Sequence, residues 1–391
     1  MLCTAAGILL GAAAPFAVPS DDDRDVAEVV AAAGWILHVE VRVLRVLESS
    51  DEVGVGGRRA VTYLAEVATA PVMDLAAWPG DRVAGHPKRL AYAEPGVHQH
   101  DLDWATSTLD TLGIMVTAPP VQVRTWSLSS IWRLSTSRGL VWLKVVPAFC
   151  AAEPAVLPLL DHRVVPVVLG AAPDRVLLTD VPGHDQYGAT GEEWRSMARM
   201  LIDLQKEWTQ RIPELERVGV ADKRPAAAIP AIVRVVDRHR RLLDPDTARA
   251  LDSIVERLPE RFTALDSCGV PDTLVHGDFY PGNVRGVPGA YRILDWSHCG
   301  IGNPMLDLRP SVERMTPQDQ RQWISIWADG WSRVVPGCAA RRAAELARPL
   351  GPMLGAVTYQ LFLDNLETTE RHYFDGDPLR ALGRAVAAAS T

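Results

Sequence analysis

One loop sequence restricts the fold of this chain more than any other feature. Residues 274–283 read LVHGDFYPGN, and the ILDW that follows places Asp295 twelve residues beyond Asn283. Glycine and proline in this stretch exclude a regular helix, while the apolar Leu-Val pair at its start is typical of a short buried strand. The polar side chains are therefore predicted to lie on a loop that leaves a buried strand, which is the usual position of functional residues.

Length and composition favour a soluble protein with several domains. The chain has 391 residues, of which 48% are hydrophobic and 23% are charged; at about 100–200 residues per domain, two or three domains are expected. No apolar run reaches the roughly 18–20 residues needed to cross a bilayer. The first 19 residues have no Lys or Arg ahead of their apolar run, so we interpret them as a folded or frayed N-terminus, with a signal peptide as the alternative.

Cysteine usage and charge argue against two classes of function. The five cysteines are scattered and form no CxxC pair, which favours reduced thiols in the cytoplasm and gives no support to structural zinc. Residues 1–120 carry 8 basic and 16 acidic side chains, so the remainder holds 32 of each. Because the chain offers no basic surface for phosphates, nucleic acid is not expected as a partner. The oligomeric state stays open.

Hydrophobic patterning divides the chain into three predicted domains. Residues 1–120 contain the alternating runs WILHVEVRVLRVL and VTYLAEVAT and end in a short helix, which predicts an α+β domain of unknown role. Residues 121–183 contain VQVRTW, SIWRLS, LVWLKVV and RVLLTD, which predict a small sheet, and a helix is expected over CAAEPAVLPLLDH. Residues 184–391 are mainly helical in pattern.

The loop carries the residue types that phosphoryl transfer requires. Such a reaction needs a carboxylate to accept or orient the proton of a hydroxyl, oxygen ligands for Mg²⁺, and a cation for the nucleotide phosphates. His276, Asp278 and Asn283 reproduce the spacing H-x-D-x-x-x-x-N, in which the Asp acts as the base and the Asn binds metal. Asp278 and His276 are the predicted catalytic residues. Asp295 follows the apolar YRIL, where kinase-like folds place a second metal-binding carboxylate.

The loop motif and the segment that follows it resemble one enzyme family. HGDFYPGN followed by ILDWSHCGIGNPMLDL is similar to the aminoglycoside phosphotransferase and choline kinase-like family, over about residues 121–375. The resemblance implies an α+β, protein-kinase-like two-lobed fold that uses ATP or GTP with Mg²⁺ to phosphorylate a small-molecule hydroxyl. It also implies that Asp278 is the base, that Asn283 and Asp295 bind Mg²⁺, and that Asp307 is a structural carboxylate. Tyr280 departs from the family pattern, in which histidine is common.

Five further residues are predicted to bind the nucleotide. Lys144 on the third strand of the small sheet would reach the phosphates, and Glu153 would pair with it; the alternative is that Lys144 extends to solvent and Glu153 is a solvated helix residue. The turn that would cover the phosphates reads SLSS and has no glycine, so Ser129 and Ser130 would have to supply donors, and nucleotide affinity is in question. Val181 completes this predicted set.

The acceptor is less well specified by the sequence. Asp364, Glu367 and Glu370 would share one face of a C-terminal helix and bind a cationic substrate, although a solvated helix face fits the same spacing. The leading hypothesis is an O-phosphotransferase acting on an antibiotic-like compound such as an aminoglycoside. A kinase of choline, homoserine or a sugar is the alternative within this chemistry, and a nucleotide-binding regulatory module without catalysis is the alternative outside it.

Overall fold

The chain forms two compact units, seen in a computed structural model that describes residues 1–20, 22–53, 59–78 and 83–389. The first unit contains Met1–Ala151, Val167–Asp180 and Leu363–Tyr373, and the second contains the other segments. The predicted regions 1–120 and 121–183 thus lie largely within one unit, and the three-domain division stays a prediction. Among the described residues, no helix is long and apolar enough to cross a membrane.

The N-terminal part of the first unit is a four-stranded sheet with two helices. The strands are β1 (Leu2–Thr4), β2 (Leu9–Gly11), β3 (Val41–Val53) and β4 (Arg59–Val67), in the order β2-β1-β4-β3. Helix α1 (Ala27–Leu37) packs Ala33 and Leu37 against the sheet. The strand predicted from Trp35 is wrong at its start, because the Ala-rich run continues as helix to Leu37 and ends at His38 with a left-handed backbone. Helix α2 spans Val97–Thr111.

A five-stranded antiparallel sheet completes the first unit and confirms the predicted small sheet. Its order is β5-β6-β7-β9-β8, and the strands are β5 (Val121–Trp126), β6 (Ser129–Thr136), β7 (Gly139–Val145), β8 (Val168–Ala172) and β9 (Arg175–Thr179). The continuous helix predicted over residues 150–162 is wrong. Only α3 (Ala152–Val156) is α-helical there, because Pro154 and Pro158 interrupt the backbone hydrogen bonds.

The second unit is mainly helical, as the sequence predicts. Its helices besides α3 are α4 (Gly191–Trp208), α5 (Ile212–Val218), α6 (Pro225–His239), α7 (Pro245–Glu256), α8 (Leu258–Asp266), α9 (Leu308–Val312), α10 (Pro317–Val334), most of α11 (Ala340–Asn365) and α12 (Asp377–Ala389). Its short strands are β10 (His184–Asp185), β11 (Ala221–Asp222), β12 (Thr273–Val275), β13 (Val284–Gly286), β14 (Arg292–Ile293) and β15 (Gly300–Gly302). They form the sheets β10-β13-β14 and β11-β15-β12.

Tryptophans of α10 form the support beneath the loop at residues 276–283. Trp323, Trp327 and Trp331 recur at every fourth residue, share one face of the helix and are fully buried. Phe279, from the loop itself, packs against Trp323 and Trp327 with ring centroids 6.0 and 5.8 Å away. Buried aromatic contacts of this size are strong packing interactions, so the loop is anchored by its own apolar residue.

Candidate active site

The polar loop at residues 276–283, here called the catalytic loop, follows the buried strand β12, as predicted. Strand β12 pairs with β15, and Thr273, Leu274 and Val275 are all buried. The loop ends in a turn of 3-10 helix at Pro281–Asn283, directly before β13. The catalytic loop is therefore held at both ends by strands of the same unit.

A buried carboxylate fixes the first residues of the catalytic loop. Asp307 accepts hydrogen bonds from the backbone N–H groups of His276 at 2.9 Å and Gly277 at 2.6 Å, and from Nε2 of Gln205 at 2.8 Å. A carboxylate bonded to two backbone N–H groups holds their orientation strongly. Asp307 thus has the structural role that the family resemblance implies.

Gly277 is required at its position by both backbone and space. Its φ of +84° lies in the left-handed region, and a Cβ there would collide with the carbonyl oxygen of His298 and approach Nζ of Lys223. Only glycine avoids both penalties. The central G of the HGD motif therefore serves close packing of the loop.

His276 holds the loop through its ring. Its Nε2 lies 2.9 Å from the carbonyl oxygen of Leu294, and its Nδ1 accepts from the backbone N–H of Asp278 at 3.2 Å. Burial lowers the pKa of His276 to about 4, so the ring is neutral near pH 7. Both ring nitrogens are engaged by backbone groups, which supports a positioning role; the catalytic assignment of His276 stays untested.

Asp278 presents a carboxylate whose basicity is raised. Its side chain is 22% exposed, and Oδ2 accepts from Nδ2 of Asn283 at 3.1 Å. Burial raises the pKa of Asp278 to about 6, and the charge of Asp295 adds to this, while Arg314 and Arg309 oppose it. A carboxylate with this pKa is ionised near pH 7 and is a stronger base than an ordinary aspartate.

Arg314 is a site residue that the sequence did not reveal. Its Nη2 lies 3.9 Å from Oδ1 of Asp278, and its guanidinium stands 4.2 Å from the ring centroid of Tyr280. The same side chain donates from Nη1 to the carbonyl oxygen of Pro310 at 2.6 Å. Arg314 follows α9 and belongs to none of the recognised motifs, so no local pattern could identify it. Tyr280, the departure from the family pattern, is the residue on which this arginine stacks.

The two candidate metal ligands lie across a strand pair from each other. Val284 of β13 is the register partner of Ile293 of β14, and the N–H of Leu294 donates to the carbonyl oxygen of Asn283 at 2.8 Å. Asp295 has a left-handed backbone with φ of 60°, and its Oδ1 accepts from the Ser297 hydroxyl at 2.7 Å. This β13–β14 arrangement brings Asn283 and Asp295 to the same end of one sheet.

The donor set of these two residues suits Mg²⁺. Nδ2 of Asn283 donates to the backbone oxygen of Asp278 at 2.8 Å, so the amide oxygen is the atom of Asn283 that would bind a metal together with the Asp295 carboxylate. Mg²⁺ prefers oxygen ligands and is usually held by one or two carboxylates together with substrate phosphates. Within the described ranges, no group of three or more His, Cys, Asp or Glu side chains is arranged to hold a metal ion. The metal assignment of Asn283 and Asp295 stays a prediction.

The predicted nucleotide residues lie in both units. Lys144 is on β7, in register with Ile131 and Val176. Glu153 and Val181 belong to the second unit. There the Glu153 carboxylate accepts from the backbone N–H of Trp296 at 3.2 Å, and the Val181 carbonyl accepts from Nε of Arg285 at 3.0 Å. The Lys144–Glu153 ion pair remains a prediction.

The serines next to the glycine-free turn have hydrogen-bond partners within the first unit. Both Ser129 and Ser130 are buried. Oγ of Ser129 accepts from Nε1 of Trp126 at 3.1 Å, while Oγ of Ser130 lies 3.2 Å from Oγ1 of Thr125 and accepts from Nε1 of Trp132 at 3.2 Å. Both serine oxygens thus accept hydrogen bonds inside the first unit, and the nucleotide-binding role of Ser129 and Ser130 stays a prediction.

The predicted acidic helix face at the C-terminus is wrong. Helix α11 ends at Asn365, so Glu367 follows its end and Glu370 lies in a separate 3-10 helix, Thr368–Tyr373. Glu367 forms an ion pair with Arg89, and Glu370 is buried and accepts from the N–H of Val46 at 3.1 Å. The run LETTERHYF is helix-compatible in sequence, but tertiary contacts to the first unit divide it. Asp364 is the only one of the three carboxylates that lies in α11.

A separate groove lies between α4 and α10 in the second unit. Its volume is about 570 Å³, and its basic lining residues are Arg195, Arg199, Lys206 and Arg333. Gly330 lets Ile202 approach α10 closely beneath it. Asp278 does not line this groove.

More than half of the chain matches one known protein family. Residues 126–345, a little over half of the chain, match the model of the phosphotransferase enzyme family. No curated protein matches this sequence.

Solved structures share the fold at low sequence identity. A GDP complex of aminoglycoside 2'-phosphotransferase-IIIa is 16% identical with a TM-score of 0.51, covering 74% of this chain and 99% of that one. An ethanolamine kinase from Plasmodium vivax is 10% identical with a TM-score of 0.52, covering 79% and 91%. Choline kinase LicA from Streptococcus pneumoniae is 14% identical with a TM-score of 0.51, covering 74% and 99%. At this identity the similarity shows the fold, which confirms the predicted α+β, protein-kinase-like class.

The family match covers the residues that form the candidate active site. It includes β6 and β7 of the small sheet, the whole catalytic loop, Asp295 and Asp307. The chain belongs to the phosphotransferase enzyme family and is a phosphotransferase with an alcohol group as acceptor.

Proposed function

We propose that this protein transfers the γ-phosphate of ATP or GTP to a hydroxyl group of an antibiotic-like or sugar-like small molecule. The observation that carries the proposal is the Asp278 carboxylate, which is raised in pKa and held by Nδ2 of Asn283. Asp307, Gly277 and His276 hold the backbone that presents it. A purely nucleotide-binding module would have no use for a base arranged in this way.

The chemistry assigned to these residues is an in-line displacement. Asp278 orients the acceptor hydroxyl and takes its proton as the acceptor oxygen forms a bond to the γ-phosphorus. The bond between that phosphorus and the β,γ-bridging oxygen breaks, the nucleoside diphosphate leaves, and Asp278 releases the proton to solvent. Mg²⁺, when held by Asn283 and Asp295, would neutralise charge on the phosphates.

The proposed acceptor carries little positive charge. Glu367 and Glu370 are engaged within the first unit, so they offer little support for binding a polycation, and residues 121–391 hold equal numbers of basic and acidic side chains. An aminoglycoside would depend on local carboxylates such as Asp364. The structural similarity to choline and ethanolamine kinases keeps a small amino alcohol as the second candidate acceptor.

The test is a phosphorylation assay with both nucleotides across a panel of acceptors. The panel contains macrolides, aminoglycosides, choline, ethanolamine, homoserine and simple sugars, and mass spectrometry identifies any compound that gains one phosphoryl group. Asp278→Asn should lose turnover, while the matched control Asp266→Asn, at an exposed position at the end of α8, should keep it. Tight nucleotide binding without transfer to any acceptor would favour the regulatory alternative.

A further inference from the structure

We propose that residues 24–26, Tyr92 and Tyr373 form a hairpin clamp that positions the β5–β6 hairpin against the nucleotide phosphates. The inference rests on the proposed function, in which the β5–β6 turn is the segment predicted to cover the phosphates. It assigns a role to the otherwise unexplained N-terminal region. The contacts that carry it all lie within the first unit.

Residues 24–26 bind along the free edge of β5. The N–H of Val26 donates to the carbonyl oxygen of Val123 at 3.0 Å, and the N–H of Thr125 donates to the carbonyl oxygen of Arg24 at 3.0 Å. The side chains of Asp25 and Arg124 add an ion pair at 2.7 Å. An edge strand whose backbone groups are paired in this way loses much of its freedom to move.

Trp126, the last residue of β5 before the turn, is held from several directions. Its carbonyl oxygen accepts from the Tyr92 hydroxyl at 2.6 Å. The Tyr373 ring meets the Trp126 ring edge-on at 5.5 Å, and the Arg24 guanidinium stands 5.2 Å from the centroid of the same ring. Nε1 of Trp126 donates to Ser129 across the turn. The backbone carbonyl and the ring of Trp126 are therefore both held in place.

A buried polar network secures the base of the hairpin. Gln122 of β5 exchanges two hydrogen bonds with the backbone of Val43, its Oε1 accepting at 2.8 Å and its Nε2 donating at 2.7 Å. Nε2 of Gln122 also donates to Oγ1 of Thr125 at 2.7 Å, and that hydroxyl lies 3.2 Å from Oγ of Ser130. Satisfied buried networks of this kind rigidify a segment.

The segment that carries Tyr373 is itself tied to the N-terminal region. Glu367 pairs with Arg89, Glu370 accepts from the N–H of Val46, and Nε2 of His372 lies 3.3 Å from the Asp23 carboxylate. These contacts explain why the helix predicted through residues 364–370 is divided. They bring the ring of Tyr373 to the hairpin from a position far along the chain.

The clamp accounts for the absence of glycine from the turn. A glycine-rich phosphate loop is able to adopt many conformations, and its backbone N–H groups settle around the anion. Here the two-residue turn Ser127–Leu128 is buried and lies between fixed strands. Its backbone is set in advance, so binding of the phosphates requires little further ordering of the loop. Tyr92 and Tyr373 are positioning residues in this scheme, and the ligand they serve is a nucleoside triphosphate.

The experiment compares Tyr92→Phe with the control Thr108→Val. Both substitutions remove one side-chain hydroxyl that donates to a backbone carbonyl in the first unit, but Oγ1 of Thr108 binds the carbonyl of Trp104 within α2 at 2.8 Å instead of Trp126. Calorimetry measures the Kd of Mg-ATP and Mg-GTP, and hydrogen–deuterium exchange follows the backbone amides of residues 121–136. Tyr92→Phe should raise both the nucleotide Kd and the exchange rate about fivefold, with kcat at saturating nucleotide unchanged. Thr108→Val should leave the Kd and the hairpin exchange as in the wild type.

The nucleotide Kd values of the variants test the clamp, and that of the wild type tests the proposed function. Unchanged Kd in Tyr92→Phe, with or without faster exchange, would overturn the clamp as a positioning device. A parallel variant, Tyr373→Leu, tests the ring contact and should raise the Kd in the same direction, with circular dichroism confirming that the variant is folded. If the wild type itself binds neither nucleotide, the proposed function fails before the clamp is tested.

Discussion

Arg314 is expected to set the pH at which Asp278 becomes an effective base. Its Nη2 lies 3.9 Å from Oδ1 of Asp278, and 46% of its side chain is exposed. Because of this exposure we apply the dielectric constant of water, and Coulomb's law then gives about 1 kcal/mol, or ~0.8 of a pKa unit. Removing the charge in Arg314→Gln should raise the pKa of Asp278 by that amount from about 6.

Two measurements follow this pKa. Carbon-13 NMR of labelled aspartate carboxyl groups gives it directly in the free enzyme, with Asp278→Asn identifying the resonance. The pH dependence of kcat/KM gives it through function, because the base must be deprotonated to accept the hydroxyl proton. Activity should therefore rise with pH through a midpoint near 6 in the wild type, and through a higher midpoint in Arg314→Gln.

Arg384→Gln is the matched control for this prediction. The Arg384 side chain is 43% exposed, similar to Arg314, and its partner is Glu313 at 3.5 Å. Removing the charge of Arg384 should leave the pH midpoint of activity unchanged. Equal midpoints in the wild type and Arg314→Gln, or a lower midpoint in the variant, would refute the electrostatic reasoning.

Three further substitutions test the supports of the two units. Gly277→Ala should destabilise the fold by roughly 3 kcal/mol in chemical denaturation and abolish turnover, because the left-handed φ of +84° and the His298 carbonyl leave no place for a Cβ. Asp307→Asn should cost about 3 kcal/mol in the same assay, since an amide replaces a carboxylate that binds two backbone N–H groups. Glu370→Gln should instead stabilise the protein at high pH. Burial raises the pKa of Glu370 from 4.5 to about 7. The contribution of Glu370 to the free energy of unfolding is therefore complete below pH 4.5 and is lost as the pH rises through 7. The variant should therefore be more stable than the wild type above that pH, by about 3 kcal/mol, with a flatter pH dependence; a parallel pH profile would contradict this.

The catalytic loop was predictable because its constraints are local. Glycine and proline, a short apolar lead-in and the fixed spacing of Asp278 and Asn283 all act within ten residues. The same applies to the strands of the small sheet and to α4, whose sequence periodicity matches its burial. For these elements, local preference and tertiary structure agree.

The errors arise where distant contacts override local preference. Nothing within the run around Glu367 and Glu370 shows that Arg89 and Val46 lie against it, so a continuous acidic helix was the natural expectation. Arg314 lies 36 residues after Asp278 in the chain, directly after α9. No local sequence pattern predicts that the two side chains are close.

The central claim is that Asp278 acts as the base in phosphoryl transfer to a small-molecule hydroxyl. Its most direct test is a single-turnover measurement of transfer from γ-labelled nucleotide to an acceptor from the panel, in wild type and Asp278→Asn. The account predicts that the substitution slows transfer by about 10²–10⁴-fold while nucleotide affinity stays nearly constant. Equal transfer rates in the two proteins would contradict it.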